Sequence, residues 1–321
     1  MYRPGGCPFP YVPKGFAYDG EEGFEDVDTT GDCSITYAEA LGGGYETKCF
    51  VYFGANLLVL CVNLRWCQIF ASKRKASGKK EMTVNENLCY INLLITVLHM
   101  IICIDPAGHA DRIPYLLLNF IMSCIASLMV TIGILLVVSW VTIVEGGKSK
   151  KTPDWALKAR NFSLAAVYFF EPGFAIVECL VVPFEGGWSG PLNGIKGTIF
   201  ASICCVWAVI CWRFGSKIAG MLKSGGGAAA TQAKAIKKFV NVAIFSFGIA
   251  VGYKFAFSLP GFFVGSAYDY PACESSIFGI VPVMYLLIQT GVLVAQNPAN
   301  VKKKVTPSGA TTTANTTTSE S

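Results

Sequence analysis

The apolar residues of this chain run on unbroken for long stretches, and the polar ones gather between the runs. Runs long enough to cross a hydrocarbon layer of about 30 Å fall at about residues 49–71, 86–104, 113–144, 161–183, 197–213, 239–264 and 275–296. A backbone in lipid must satisfy its own polar groups, so each run predicts a helix. The expected fold is an all-α membrane protein, a seven-transmembrane helix bundle. The third run, of about 32 residues, is too long for one upright span and too short for two, which predicts a single tilted helix that emerges from the membrane. The fifth, "TIFASICCVWAVICWRFG", is short for a span. No signal peptide is expected, because no short apolar stretch with a cleavage site precedes the first run.

Composition agrees with the pattern, since 53% hydrophobic and 15% charged residues over 321 positions make the chain too apolar for an ordinary soluble domain. Charge adds an orientation. The segments after runs one, three, five and seven read "SKRKASGKK", "GGKSKKTPDWALKAR", "RFGSKIAGMLKSGGGAAATQAKAIKK" and "VKKK", whereas the alternate loops hold only Arg112 and Lys196. Basic segments stay in the cytoplasm, so the N-terminus is expected on the exterior and the C-terminus in the cytoplasm, with the plasma membrane the expected location. The net charge of +5 averages an acidic arm and a basic inner face. The basic face suits an anionic leaflet of the lipid bilayer and needs no nucleic acid. The organisation that follows is an exterior arm over 1–48, a transmembrane domain over 49–296 and a Thr-rich, disordered tail over 297–321. The Gly- and Ala-rich stretch before run six reads as a flexible linker. No internal repeat supports an inverted-repeat transporter.

The arm contains "DTTGDCSITYAE", residues 28–39. Oxygen-bearing residues stand at its positions 1, 3, 5, 7, 9 and 12: Asp28, Thr30, Asp32, Ser34 through its backbone carbonyl, Thr36 and Glu39. Calcium takes six or more oxygens at flexible geometry. With Ile35 at the eighth position and Phe24 upstream, the stretch resembles an EF-hand loop over about 18 residues. That resemblance implies the six residues as calcium ligands, in a weak site suited to a calcium-rich exterior. Cys33 stands where the family has Gly, and Thr30 where Asp or Asn is usual. The competing reading is an acidic arm that fits the spacing by chance.

Cysteines lie mostly within the runs, where they act as small apolar residues. Cys7, Cys33, Cys49 and Cys273 are exterior and allow two disulfides in three pairings. A link from Cys49 or Cys33 to Cys273 would fasten the arm over the bundle. His99 and His109 lack ligand spacing, so a Cys and His metal site is not expected.

Ionisable residues inside the runs normally face a partner or a wet cavity. Glu171, Glu178, Lys254 and His99 are such residues. Counting 1.5 Å per residue from the inner ends places Glu178 about 26 Å, Lys254 about 22 Å and His99 about 20 Å up, with Asn119 and Asn56 near the same level. This predicts an outward-opening ligand cavity lined by Lys254, Glu178, Glu171, His99, Asn119 and Asn56. In it Lys254 pairs with Glu178, and Pro172 frees a carbonyl beside Glu171. A purely structural Lys254–Glu178 pair is the alternative. Asn63, Asn92 and Gln289 form an inner layer expected to tie helix to helix.

Seven spans, an exterior N-terminus, basic cytoplasmic loops and an outward-facing polar layer resemble the topology of the G-protein-coupled receptors. That resemblance implies an unknown exterior ligand and signalling to a heterotrimeric G protein or other cytoplasmic partner. The local motifs depart from the family: no Asp-Arg-Tyr closes run three, which ends "VVSWVTIVEGG", the loop after span four has no Cys, and "NPAN" at 297–300 matches only part of the Asn-Pro motif. A transporter or ion channel using Glu178, Lys254 and Glu171 is the alternative. A microbial rhodopsin would need a Lys in run seven, which has none. Nucleophile elbows, metal clusters and phosphate loops are absent, so an enzyme is not expected.

Overall fold

The computed structural model describes residues 11–12, 33–36, 38–39, 43–78, 80–106, 108, 110–145, 151–181, 189–223, 233–234, 236–237, 240–241, 244–245, 248, 251–252 and 271–295. Its helices are α1 (Gly43–Ala76), α2 (Val84–Ile102), α3 (Tyr115–Glu145), α4 (Asp154–Tyr168), a π-helical turn (Phe169–Gly173), α5 (Phe174–Val181), α6 (Ser189–Lys223) and α7 (Pro271–Ala295). The positions described between 233 and 252 have helical backbone. Strands β1 (Tyr11–Val12) and β2 (Ile35–Thr36) pair antiparallel, with Tyr11 opposite Thr36 and Val12 opposite Ile35.

Among the described residues, four helices are long and apolar enough to cross a membrane: Gly44–Ala76, Val84–Ile102, Leu116–Glu145 and Gly194–Lys223. They point to a lipid bilayer as the surroundings, and their outer faces agree. Phe50, Leu58, Val209 and Trp212 stand exposed on α1 and α6, an arrangement that water would penalise and hydrocarbon does not. The third apolar run is one helix of 31 residues.

Local chemistry sets several helix ends. Lys73, Arg74 and Lys75 occupy the last turn of α1, where the helix dipole favours cations, and Gly78 at φ 64° turns the chain. Thr83 caps α2 by accepting from Glu86 N at 3.2 Å. Glu86 is itself buried and takes Arg74 Nε at 3.0 Å, which ties the end of α1 to the start of α2. Trp155 Nε1 donates to Glu145 at 3.0 Å, and the Thr142 and Thr152 hydroxyls meet at 2.8 Å, joining α3 to α4 in the same way.

The fifth run differs from expectation. Helix α6 has 35 residues and starts at Ser189, well inside the Gly- and Pro-rich stretch that reads as a loop. Pro191 is tolerated there because its missing N–H falls in the first turn, where backbone donors have no intrahelical partner.

Helix α3 lies between two apolar clusters. On one side Val130, Ile134, Val137 and Trp140 pack with Trp207, Cys211 and Phe214 of α6, Val167 of α4 and Val240. On the other, Ile121, Ile125 and Ile132 pack with Leu88 and Ile95 of α2 and with Tyr285 and Val292 of α7. Gly215 of α6 sits so near Trp140 and Val240 that an added Cβ would come within 2.9 Å of the indole ring and run into the Val240 methyl.

Candidate functional site

Helix α4 does not simply continue into α5. Pro172 has no N–H to donate, and its ring crowds the carbonyl four residues back, so the helix widens into the π turn Phe169–Gly173. Glu171 lies in that turn and is 1% exposed. Its Oε2 stands 3.8 Å from Nζ of Lys196, which is 4% exposed. The ammonium also donates to Ser123 Oγ at 3.1 Å. Three elements thus converge on one charge pair: α3 through Ser123, the π turn through Glu171 and α6 through Lys196.

A polar stripe on α3 extends from this pair. Asn119, Ser123, Ser127 and Thr131 follow at intervals of four and so share a face. Ser127 Oγ donates to Ser123 O at 3.0 Å and Thr131 Oγ1 to Ser127 O at 2.8 Å. The Thr131 hydroxyl also meets the Tyr168 hydroxyl at 3.1 Å, at the last residue before the π turn. Chemically, a buried ammonium and carboxylate can exchange a proton or be parted by a charged ligand. Either event would act directly on a helix irregularity.

A second polar centre joins α1, α2 and α7. Asn63 Nδ2 donates to Thr96 Oγ1 at 3.2 Å, Thr96 Oγ1 lies 3.1 Å from Gln289 Oε1, and Gln289 Nε2 is 3.0 Å from His99 Nδ1. Tyr285 meets the His99 ring edge to face, with centroids 5.3 Å apart. Asn63 and Gln289 therefore link helices as the inner-layer reading expects. Asn92 contributes its backbone carbonyl, 2.8 Å from Thr96 Oγ1.

Other sequence-predicted residues that are described, His99 and Asn56, bond elsewhere. His99, grouped by depth with the outer layer, bonds instead with Gln289 of the inner one. Asn56 donates to Tyr52 O at 2.9 Å and to Cys103 Sγ at 3.4 Å, a contact from α1 to the end of α2. Glu178 lies on α5, where only its backbone is described, and Lys254 falls outside the described residues, so the Lys254–Glu178 pairing does too. Lys196, which reads as a loop charge, is the described partner of Glu171.

In the arm, Asp28, Thr30 and Asp32 lie outside the described residues. Ser34 is exposed. Thr36 and Glu39 hold each other: Thr36 N donates to Glu39 Oε2 at 2.6 Å, the Thr36 hydroxyl to the same oxygen at 3.1 Å, and Glu39 N to Thr36 Oγ1 at 3.3 Å. This is a capping box. In the described half of the loop the Glu39 carboxylate is thus held by the backbone and hydroxyl of Thr36. No cluster of three metal-ligating side chains occurs among the described residues. Cys33 is disulfide-bonded and Cys49 is a free, buried thiol, so no disulfide from Cys49 fastens the arm.

The loop after α2 supplies a further anchor that sequence reasoning passed over. Asp105 is 0% exposed. It accepts the Tyr45 hydroxyl, Ala110 N at 3.1 Å and Arg112 N at 3.0 Å. Beside it Arg112 pairs with Glu46, and the Tyr11 hydroxyl donates to Asp111 at 2.8 Å. Tied to the Asp111 carboxylate, the Tyr11 phenol titrates above its ordinary value, because the bond and the nearby negative charge both favour its protonated form. Comparison with known protein families, with curated proteins and with solved structures finds no match to this chain.

Proposed function

We propose that the chain is a seven-span, receptor-like membrane protein. Its N-terminus lies outside and its C-terminus in the cytoplasm, in the plasma membrane, and it passes the binding of an exterior ligand to a cytoplasmic partner such as a heterotrimeric G protein. The observation that carries this reading is the buried Lys196–Glu171 pair on the π turn. Ionisable pairs inside a membrane bundle mark functional sites, and π turns favour the same places. A ligand group that competes for either charge would relax or tighten the turn, and α3 and α6 would follow because both hold the same pair.

The test uses the full chain in lipid nanodiscs with a broad panel of heterotrimeric G proteins, read as guanine-nucleotide exchange. Exchange above the empty-disc level with at least one G protein, altered in Lys196→Met/Glu171→Gln, supports the reading. Exchange at the empty-disc level across the panel overturns the G-protein arm of it.

Transport or ion conduction is the second reading. The stripe Asn119, Ser123, Ser127 and Thr131, about 18 Å long on α3, favours it as a polar track leading from the charge pair. Flux into vesicles holding the purified chain distinguishes the two. Calcium binding by the arm belongs to the proposal on loop spacing alone, and requires Glu39 to release Thr36.

A further inference from the structure

The seam between α1, α2 and α7 buries more hydrogen-bonding atoms than the protein pairs. Asn63, Asn92, Thr96, His99 and Gln289 are all 0% exposed. Once the chain from Asn63 to His99 is formed, Asn63 Oδ1, both amide atoms of Asn92 and His99 Nε2 have no partner among the described residues. Thr96 adds to the shortfall. Its single hydroxyl proton has two acceptors in reach, Asn92 O at 2.8 Å and Gln289 Oε1 at 3.1 Å, and can serve one. Asn92, Thr96 and His99 stand at i, i+4 and i+7 on one face of α2, so the unmet atoms are strung along about 10 Å of a single seam.

We propose that this seam is a hydration site, with ordered water bound between α1, α2 and α7 by Asn63 Oδ1, the Asn92 amide and His99 Nε2. The chemistry of the unmet atoms selects water. They include donors and acceptors, and none is charged, so a cation held here would have its charge left uncompensated in a low-dielectric bundle. Histidine sharpens the choice. When Gln289 Nε2 donates to His99 Nδ1, the ring proton sits on Nε2, which then needs an acceptor. When the Gln289 amide is reversed, Nδ1 donates and Nε2 needs a donor. Water meets either requirement, and a site with two to four polar partners is the kind that holds it. The bound water completes a hydrogen-bonded path from α1 through α2 to α7, with His99 at one end.

The experiment exchanges Asn92 for Leu, a side chain of similar size, in the full chain in nanodiscs. If water is bound, Asn92→Leu removes its bridge and the melting midpoint falls by roughly 5 °C. If the seam is dry, the same change deletes an unpaired amide, and a midpoint that rises or stays put overturns the proposal. Should the variant not fold, the wild type decides. Radiolysis in 18O-labelled water generates hydroxyl radicals beside bound water. His99 and Tyr285 should then take up label, while Trp207, 2% exposed within an apolar cluster and intrinsically more reactive, should not. Label at His99 and Tyr285 no higher than at Trp207 overturns the hydration site.

Discussion

The α1–α2–α7 seam and the α3–α6 seam both bury polar side chains, but with different chemistry. The first uses neutral amides, a hydroxyl and an imidazole joined side chain to side chain. The second places an ammonium 3.8 Å from a carboxylate on a helix irregularity. Neutral groups choose helix partners at a modest cost when a bond is lost, because the unfolded segments in the membrane find other bonds as well. A charge pair costs several kcal/mol if one partner goes, since the other is left in a low-dielectric interior. Proton transfer, a competing ion or a ligand can also rearrange it. The difference suggests a division of labour, with one seam specifying assembly and the other able to switch.

The strongest challenge to that division is Lys196→Met. Removing the ammonium beside Glu171 should destabilise the full chain by about 3–5 kcal/mol, whereas Lys196→Met with Glu171→Gln should recover most of the loss. Melting midpoints in one detergent read this directly. Equal and additive shifts would mean that the two groups do not act as a pair.

A smaller effect tests how tightly α6 packs against α3 toward the other end of the helix that carries Lys196. Gly215→Ala would drive a Cβ against the Trp140 ring, and overpacking of this kind costs about 1–3 kcal/mol. A midpoint unchanged from wild type would show that α6 shifts freely against α3 at that point.

The smallest effect belongs to the neutral seam. Gln289→Leu removes the bridge between Thr96 and His99, but Thr96 keeps Asn92 O as an acceptor at 2.8 Å. The expected loss is about 1 kcal/mol. If Gln289→Leu cost as much as Lys196→Met in the same assay, the two seams would not differ in kind.

Legibility followed the same divide. The inner layer could be read because Asn63 and Gln289 are isolated polar residues in apolar runs, and in lipid such residues meet each other. Glu171 stood out for the same reason, and Pro172 beside it was legible as freeing a carbonyl, though not as widening the helix into a π turn. Lys196 did not stand out, because "NGIKG" looks like a loop. The available signal was length: run five is shorter than the roughly 20 residues a span needs, and extending it toward the N-terminus brings Lys196 inside. Asp105 gave no signal, since its partners come from a distant Tyr and from backbone N–H groups that carry no residue identity.

What the sequence by itself determined is the medium and the elements. Long apolar runs demand helices in hydrocarbon, whatever their neighbours, because every backbone group must be paired within its own segment. Only the tertiary structure decided which polar residues meet. Depth along a helix can be counted from sequence, but azimuth around the bundle depends on how ridges and grooves of several helices pack together. His99, placed by depth among the outer residues, therefore turned to Gln289 of α7, and Glu171 found its cation on α6 in a segment whose glycines had hidden a helix.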